Sequence, residues 1–106
     1  MGTLLRFQPA DRRGAHSGGS LWFVEAGWHG IDWPMRDALT KRVRGSVGSG
    51  MDMTSKRYDI TWTAKTEKRA RAIASKIGEA VYGENDLRVR HGVPVTHVRL
   101  NVYRGD

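Results

Sequence analysis

The stretch Arg57 to Ala64 alternates along its whole length. Tyr58, Ile60, Trp62 and Ala64 fall on one face, and Arg57, Asp59, Thr61 and Thr63 on the other. A period of two predicts a half-buried strand. Thr66 is then placed to cap a helix, Glu67 to Tyr82. In it Ala70, Ile73, Ala74, Ile77 and Val81 recur at helical spacing, and Gly83 suits the left-handed position just beyond the end. Gly78 lies inside that helix, at a cost of about 1 kcal/mol relative to Ala, a position that suits close packing.

Weaker patterns surround this pair. Thr3 to Gln8 alternates and is closed by Pro9, and Leu21 to Ala26 is rich in aromatic and β-branched residues. The two segments read as strands of a hairpin with a long loop. Asp32 is a good N-cap for a helix from Trp33, with Pro34 in its first turn. Met35, Leu39 and Val43 form the buried stripe, Asp37 and Lys41 an i,i+4 pair, and Gly45 the stop. After Pro94 a last strand runs from Val95 to Tyr103. Thr96, Val98, Leu100 and Val102 point inward, and His97, Arg99, Asn101 and Tyr103 outward. The predicted order is ββαβαβ. It implies an α+β two-layer sandwich, with two helices packed on one face of a mixed or antiparallel sheet of about four strands.

Size allows one domain. The chain has 106 residues, and two independent cores would need more surface than this length can bury. Cysteine is absent, which excludes disulfides, thiolate zinc sites and a thiol nucleophile. The apolar runs are far shorter than the roughly 18 residues that span a bilayer. Met1 to Gln8 lacks the apolar region of a signal peptide, so the default expectation is a cytoplasmic protein.

Charge changes the picture more. Lys and Arg number 18 against 11 Asp and Glu, a formal net charge of +7. Lys65, Arg69 and Lys76 line one stripe of the second helix, with Lys68 and Arg71 in the next row. Arg36, Lys41, Arg42 and Arg44 surround the first helix, and Arg12, Arg13, Lys56, Arg88 and Arg90 lie in loops. Such a surface attracts phosphates and releases counterions. A solvated helix face that keeps a small protein soluble has the same composition. The outward row of the last strand adds Arg99 to the candidate phosphate contacts, but one His and one Tyr fall short of an aromatic stacking platform.

Three indoles, Trp22, Trp28 and Trp33, occur within twelve residues. Trp22 and Trp33 are expected in the core. Trp28, in the turn Gly27-Trp28-His29-Gly30, is expected to be exposed and, with His29 and Tyr103, to anchor a protein interface. Gly45 to Gly50 contains a Gly-x-x-Gly, as in nucleic-acid clamps, but no helix follows it to meet a phosphate. A flexible connector is the expectation. His16, His29, His91 and His97 have no metal-ligand spacing, and no catalytic set is visible, so neither an enzyme nor a cofactor is expected.

The leading expectation is therefore a non-catalytic binding module whose basic surface contacts nucleic acid through Lys65, Lys68, Arg69, Arg71, Lys76 and Arg99. The alternative is a small accessory or regulatory protein, of the kind phages encode, that binds a host or assembly protein, its positive charge steering it to an acidic surface on that partner. A free edge on the last strand would let two copies pair as a homodimer.

Overall fold

The structure is a computed structural model. It describes the course of the strand at 3–11 and residues 21–105 in full; the loop cations Arg12 and Arg13, and His16, lie outside the described residues. Its elements are β1 (Thr3–Asp11), β2 (Leu21–His29), α1 (Trp33–Arg42), β3 (Gly48–Asp52), β4 (Arg57–Ala64), α2 (Glu67–Arg90) and β5 (Val98–Gly105). The strands form one sheet in the order β1-β5-β2-β4-β3. β1 runs parallel to β5, and the other neighbours are antiparallel. Both helices pack on one face, giving the expected α+β sandwich with a mixed sheet.

Strand parity builds the core. Val24 is in register with both Trp62 and Val102, and Ala26 with both Ile60 and Leu100. Residues opposite one another share a face. These side chains, with Met35 and Leu39 of α1 and Ala70, Ile73, Ala74, Ile77 and Val81 of α2, form a single buried cluster. The other face carries Phe23, Glu25 and Gly27 beside Thr63, Thr61 and Asp59 on one side and Tyr103, Asn101 and Arg99 on the other. At Gly27 the space a Cβ would need is taken by the Asp59 carboxylate, so a larger residue there requires the Asp59 side chain to move.

The structure corrects several sequence expectations. β1 and β2 are not a hairpin, because β5 lies between them. β1 also continues through Pro9 to Asp11, with its register to β5 shifting after Gln8; an edge strand tolerates a residue that cannot donate to the ladder. The predicted connector at Gly45 to Gly50 instead contributes a fifth strand, since Gly48–Asp52 pairs with β4. Asp37 pairs with Arg36 and not with Lys41.

α2 is the largest departure. It runs through Gly83 to Arg90, and the left-handed glycine after it is Gly92, φ 69°. A methyl group added at Gly83 would meet nothing within 4 Å, and one added at Gly78 would meet only Leu100 Cδ1, at 3.9 Å. Neither glycine is required by conformation or by close approach. Gly78→Ala and Gly83→Ala should each therefore raise stability by about 0.5–1 kcal/mol in urea unfolding. A loss at Gly83 would mean that the helix ends there.

Candidate functional site

Two helices lie side by side over the sheet, and a polar clamp sets how. The Arg88 guanidinium donates from both terminal nitrogens to the Asp32 carboxylate, each at 2.8 Å, and from Nε to Glu84 at 3.1 Å. The Thr96 hydroxyl donates to Asp32 and accepts from Arg88. Asn85 completes the set: its amide donates to the Thr96 carbonyl at 2.8 Å and its oxygen accepts from the Thr96 N–H at 3.1 Å. Asp32 also accepts from the Met35 N–H at 3.1 Å, which is the N-cap expected from the sequence. One carboxylate thus starts α1, holds the last turns of α2 and fixes the segment entering β5.

The electrostatics follow from burial. The Asp32 and Arg88 side chains are only 11% and 12% exposed. Burial alone would raise the Asp32 pKa, but the hydrogen bonds from Arg88, Thr96 and the Met35 N–H outweigh it and hold it below the ordinary carboxylate value. Asp32 in turn pushes the Arg88 pKa up against its own desolvation.

At its other end α1 is fixed by Trp62, whose Nε1 donates to the Val43 carbonyl at 2.9 Å, and Arg42 reaches Glu79 at 2.9 Å. Asp32 sits against residue 88 and Arg42 against residue 79, so α1 runs antiparallel to the second half of α2. The first half of α2 extends beyond α1.

This arrangement divides the charge. Glu79 to Arg90 contains five charged side chains, and all five are ion-paired: Glu79 with Arg42, Glu84 and Asp32 with Arg88, and Asp86 with Arg90. Lys65 to Gly78 holds five cations and one carboxylate. There Glu67 engages Arg71 at 2.8 Å, and Lys65, Lys68, Arg69 and Lys76 have no carboxylate partner among the described residues. All four are exposed. Arg69 and Lys76 share the flank that, further along the helix, places Ala80 beside α1; they lie seven residues apart, about 10 Å along the axis. Lys41 and Arg44, at the end of α1, add to the same end of the layer.

Cations at a helix N-terminus oppose the helix dipole and lower helix stability. At the end of α1, by contrast, Lys41 and Arg42 complement it. Around the start of α2 a cleft of about 480 Å³ opens between Leu21, Thr63, Ala64, Lys65, Thr66 and Arg69. Thr66 caps the helix there, accepting from the Arg69 N–H at 3.1 Å. The cleft therefore joins a positive helix end to two cationic side chains.

Of the other site residues expected from the sequence, Arg71 stays on α2 but is neutralised by Glu67. Arg99 is exposed on the face of the sheet opposite the helices, so it does not join the α2 cations. The predicted interface anchors are corrected. Trp28 is 2% exposed, because β2 continues through Gly27 to His29 and parity puts the indole on the helix face. It packs on Tyr58 at 5.3 Å, with its Nε1 buried and unpaired. Tyr103 is likewise buried, stacked on Phe23 at 5.4 Å. His29 is exposed. The exposed indole is Trp33, 51% accessible, which as the first residue of α1 turns away from the Met35–Leu39 stripe.

Among the described residues no group of His, Cys, Asp and Glu is arranged to hold a metal ion, and no helix is long and apolar enough to cross a membrane. No protein-family model, curated protein or solved structure matches the chain.

Arg88→Met should lower stability by roughly 3 kcal/mol, since it strands the Asp32 carboxylate in a largely buried site. The Asp32 contribution is present above roughly pH 4 and falls away as pH drops through its lowered pKa. Urea titrations between neutral and strongly acid pH should therefore show a steeper acid loss in the wild type than in Asp32→Asn.

Proposed function

We propose that this protein is a non-catalytic binding module that grips the phosphates of nucleic acid with the first half of α2. Lys65, Lys68, Arg69 and Lys76 make the contacts, and Lys41 and Arg44 extend the surface. The observation that carries this reading is the split in ion pairing. Every charged side chain in the second half of α2 is neutralised, whereas four exposed cations in and before the first half have no carboxylate partner among the described residues. Lys65, Lys68 and Arg69 stand against the helix dipole at the start of α2, which costs helix stability that a bound polyanion would reverse. Phosphate contacts of this kind give affinity with little sequence preference. Arg71 is a weaker contributor because Glu67 competes for it, and Arg99 lies outside the surface.

A second reading, an acidic protein partner, draws on the same cations. It gains from the exposed Trp33, which stands where the sequence expectation had placed Trp28. Its mark is a contact that survives added salt better than a phosphate contact and that Trp33→Ala weakens.

Fluorescence anisotropy with single- and double-stranded DNA and RNA tests the proposal. Four phosphate contacts should give a log–log salt slope of roughly −3 to −4. Arg69→Glu combined with Lys76→Glu should halve that slope and weaken binding to every sequence alike, while Arg99→Glu leaves binding unchanged. Absence of binding at low salt would sink the proposal.

A further inference from the structure

Among the described residues the sheet ends in an open edge at β3, whose one neighbour is β4. An edge strand presents unpaired N–H and C=O groups, and proteins commonly blunt it with Lys, Pro, a bulge or an inward charge. Val47 to Met53 reads Val-Gly-Ser-Gly-Met-Asp-Met and holds no Lys and no Pro, and its one charge, Asp52, is on the face away from the helices. The strand is also preformed. It pairs with β4 over its full length, and the turn that follows is tied by Asp52, which accepts from the N–H groups of Thr54 at 2.8 Å and Ser55 at 3.4 Å. The Lys56 N–H closes the turn on the Asp52 carbonyl at 2.7 Å.

Parity then distinguishes the two faces of this edge. Ser49 and Met51 are in register with Ile60 and Tyr58, on the helix side, where Met51 packs against the core. Val47 lies just before the strand, and Met53 opens the turn that follows it. They are 61% and 70% exposed, apolar, and equally distant from Gly50.

We infer that β3 is a self-recognition edge, on which two copies of this chain pair antiparallel about a two-fold axis at Gly50. In that register Ser49 meets the partner's Met51 and Gly48 the partner's Asp52, and Val47, just before the strand, comes beside the partner's Met53 at the start of its turn. Each exposed apolar residue is covered by the other, and no like charges stand opposite. Moving the axis by one residue, to Met51, would lose the Val47 contact, and moving it by two, to Asp52, would set Asp52 against its own copy. The interface is isologous and closed, so it stops at two copies. The axis is normal to the sheet, so both helical layers stay on the same side. The inference does not rest on nucleic-acid binding; it moves the expected pairing edge from β5, which lies inside the sheet between β1 and β2, to β3.

Sedimentation velocity from micromolar to millimolar concentration reads the association. The wild type should pass from one chain to two with rising concentration. Val47→Lys should weaken the dimer by roughly tenfold, as it places charge against methionine at two symmetric points. Adding Met53→Glu to Val47→Lys sets opposite charges across the axis and should restore it. Both positions are exposed, and an unchanged circular dichroism spectrum and urea midpoint verify the fold.

A second measurement fixes the register. The chain has no cysteine, and a methyl group added at Gly48 or Gly50 would meet nothing within 4 Å. Opposed residues in an antiparallel pair have Cα atoms about 4.5–5.5 Å apart, within disulfide range. Gly50→Cys should cross-link to its own copy on mild oxidation, and Gly48→Cys should not. A wild type that stays monomeric to millimolar concentration overturns the inference. So does a dimer indifferent to Val47→Lys, or one in which Gly48→Cys cross-links as readily as Gly50→Cys.

Discussion

The Asp32–Arg88 pair organises the helical layer. Its two residues are 56 positions apart, and Thr96, which bonds to both, is 64 from Asp32. A fork-to-fork contact between guanidinium and carboxylate fixes orientation as well as distance. It sets α1 antiparallel to the end of α2 and draws the segment before β5 onto both. A largely buried ion pair is weak evidence for stability in itself, because desolvation offsets much of the attraction. Its effect here is specificity: the N-cap of α1 can form in one place only, beside residue 88.

That specificity shapes the surface. Because α1 is short and starts at residue 88, it ends beside residue 79. The carboxylates of the second half of α2 then find partners at hand, in Arg42 from α1 and in Arg88 and Arg90 on α2 itself. The first half of α2 projects past α1 with a single carboxylate of its own. The net positive charge of the helical layer is thus concentrated at one end by helix placement. Isolated surface ion pairs contribute little stability, so the significance of the division is electrostatic: it decides which cations remain available to an external anion.

The sheet has a comparable asymmetry. Putting β5 between β1 and β2 removes the C-terminal strand from the edge, while the glycine-rich β3 becomes the edge on the far side. Gly48 and Gly50 carry no side chain to obstruct a further strand. The flanking Val47 and Met53 supply apolar surface that the monomer leaves uncovered. The proposed phosphate contact and the inferred edge pairing would use different elements and could operate together.

The sequence alone determined the elements whose patterns are periodic. β4 was legible because four apolar and four polar residues alternate without error, and the first four turns of α2 because Ala70 to Val81 repeat at helical spacing. The α+β class, the Asp32 cap and the exposed row Lys65, Lys68, Arg69 and Lys76 followed from such local signals. What the tertiary structure decided was everything that depends on a distant neighbour. Gly83 reads as a helix stop, yet the clamp at Arg88 and Asn85 holds the helix on to Arg90. Gly48 to Gly50 has almost no side chain to pattern, yet pairing with β4 makes it a strand. Trp28 lies between glycines and looks exposed, but strand parity buries it, and helix phase exposes Trp33 instead. Which cations were free could not be read from the charge count, because ion pairs such as Arg88–Asp32 and Arg42–Glu79 join residues the sequence keeps far apart.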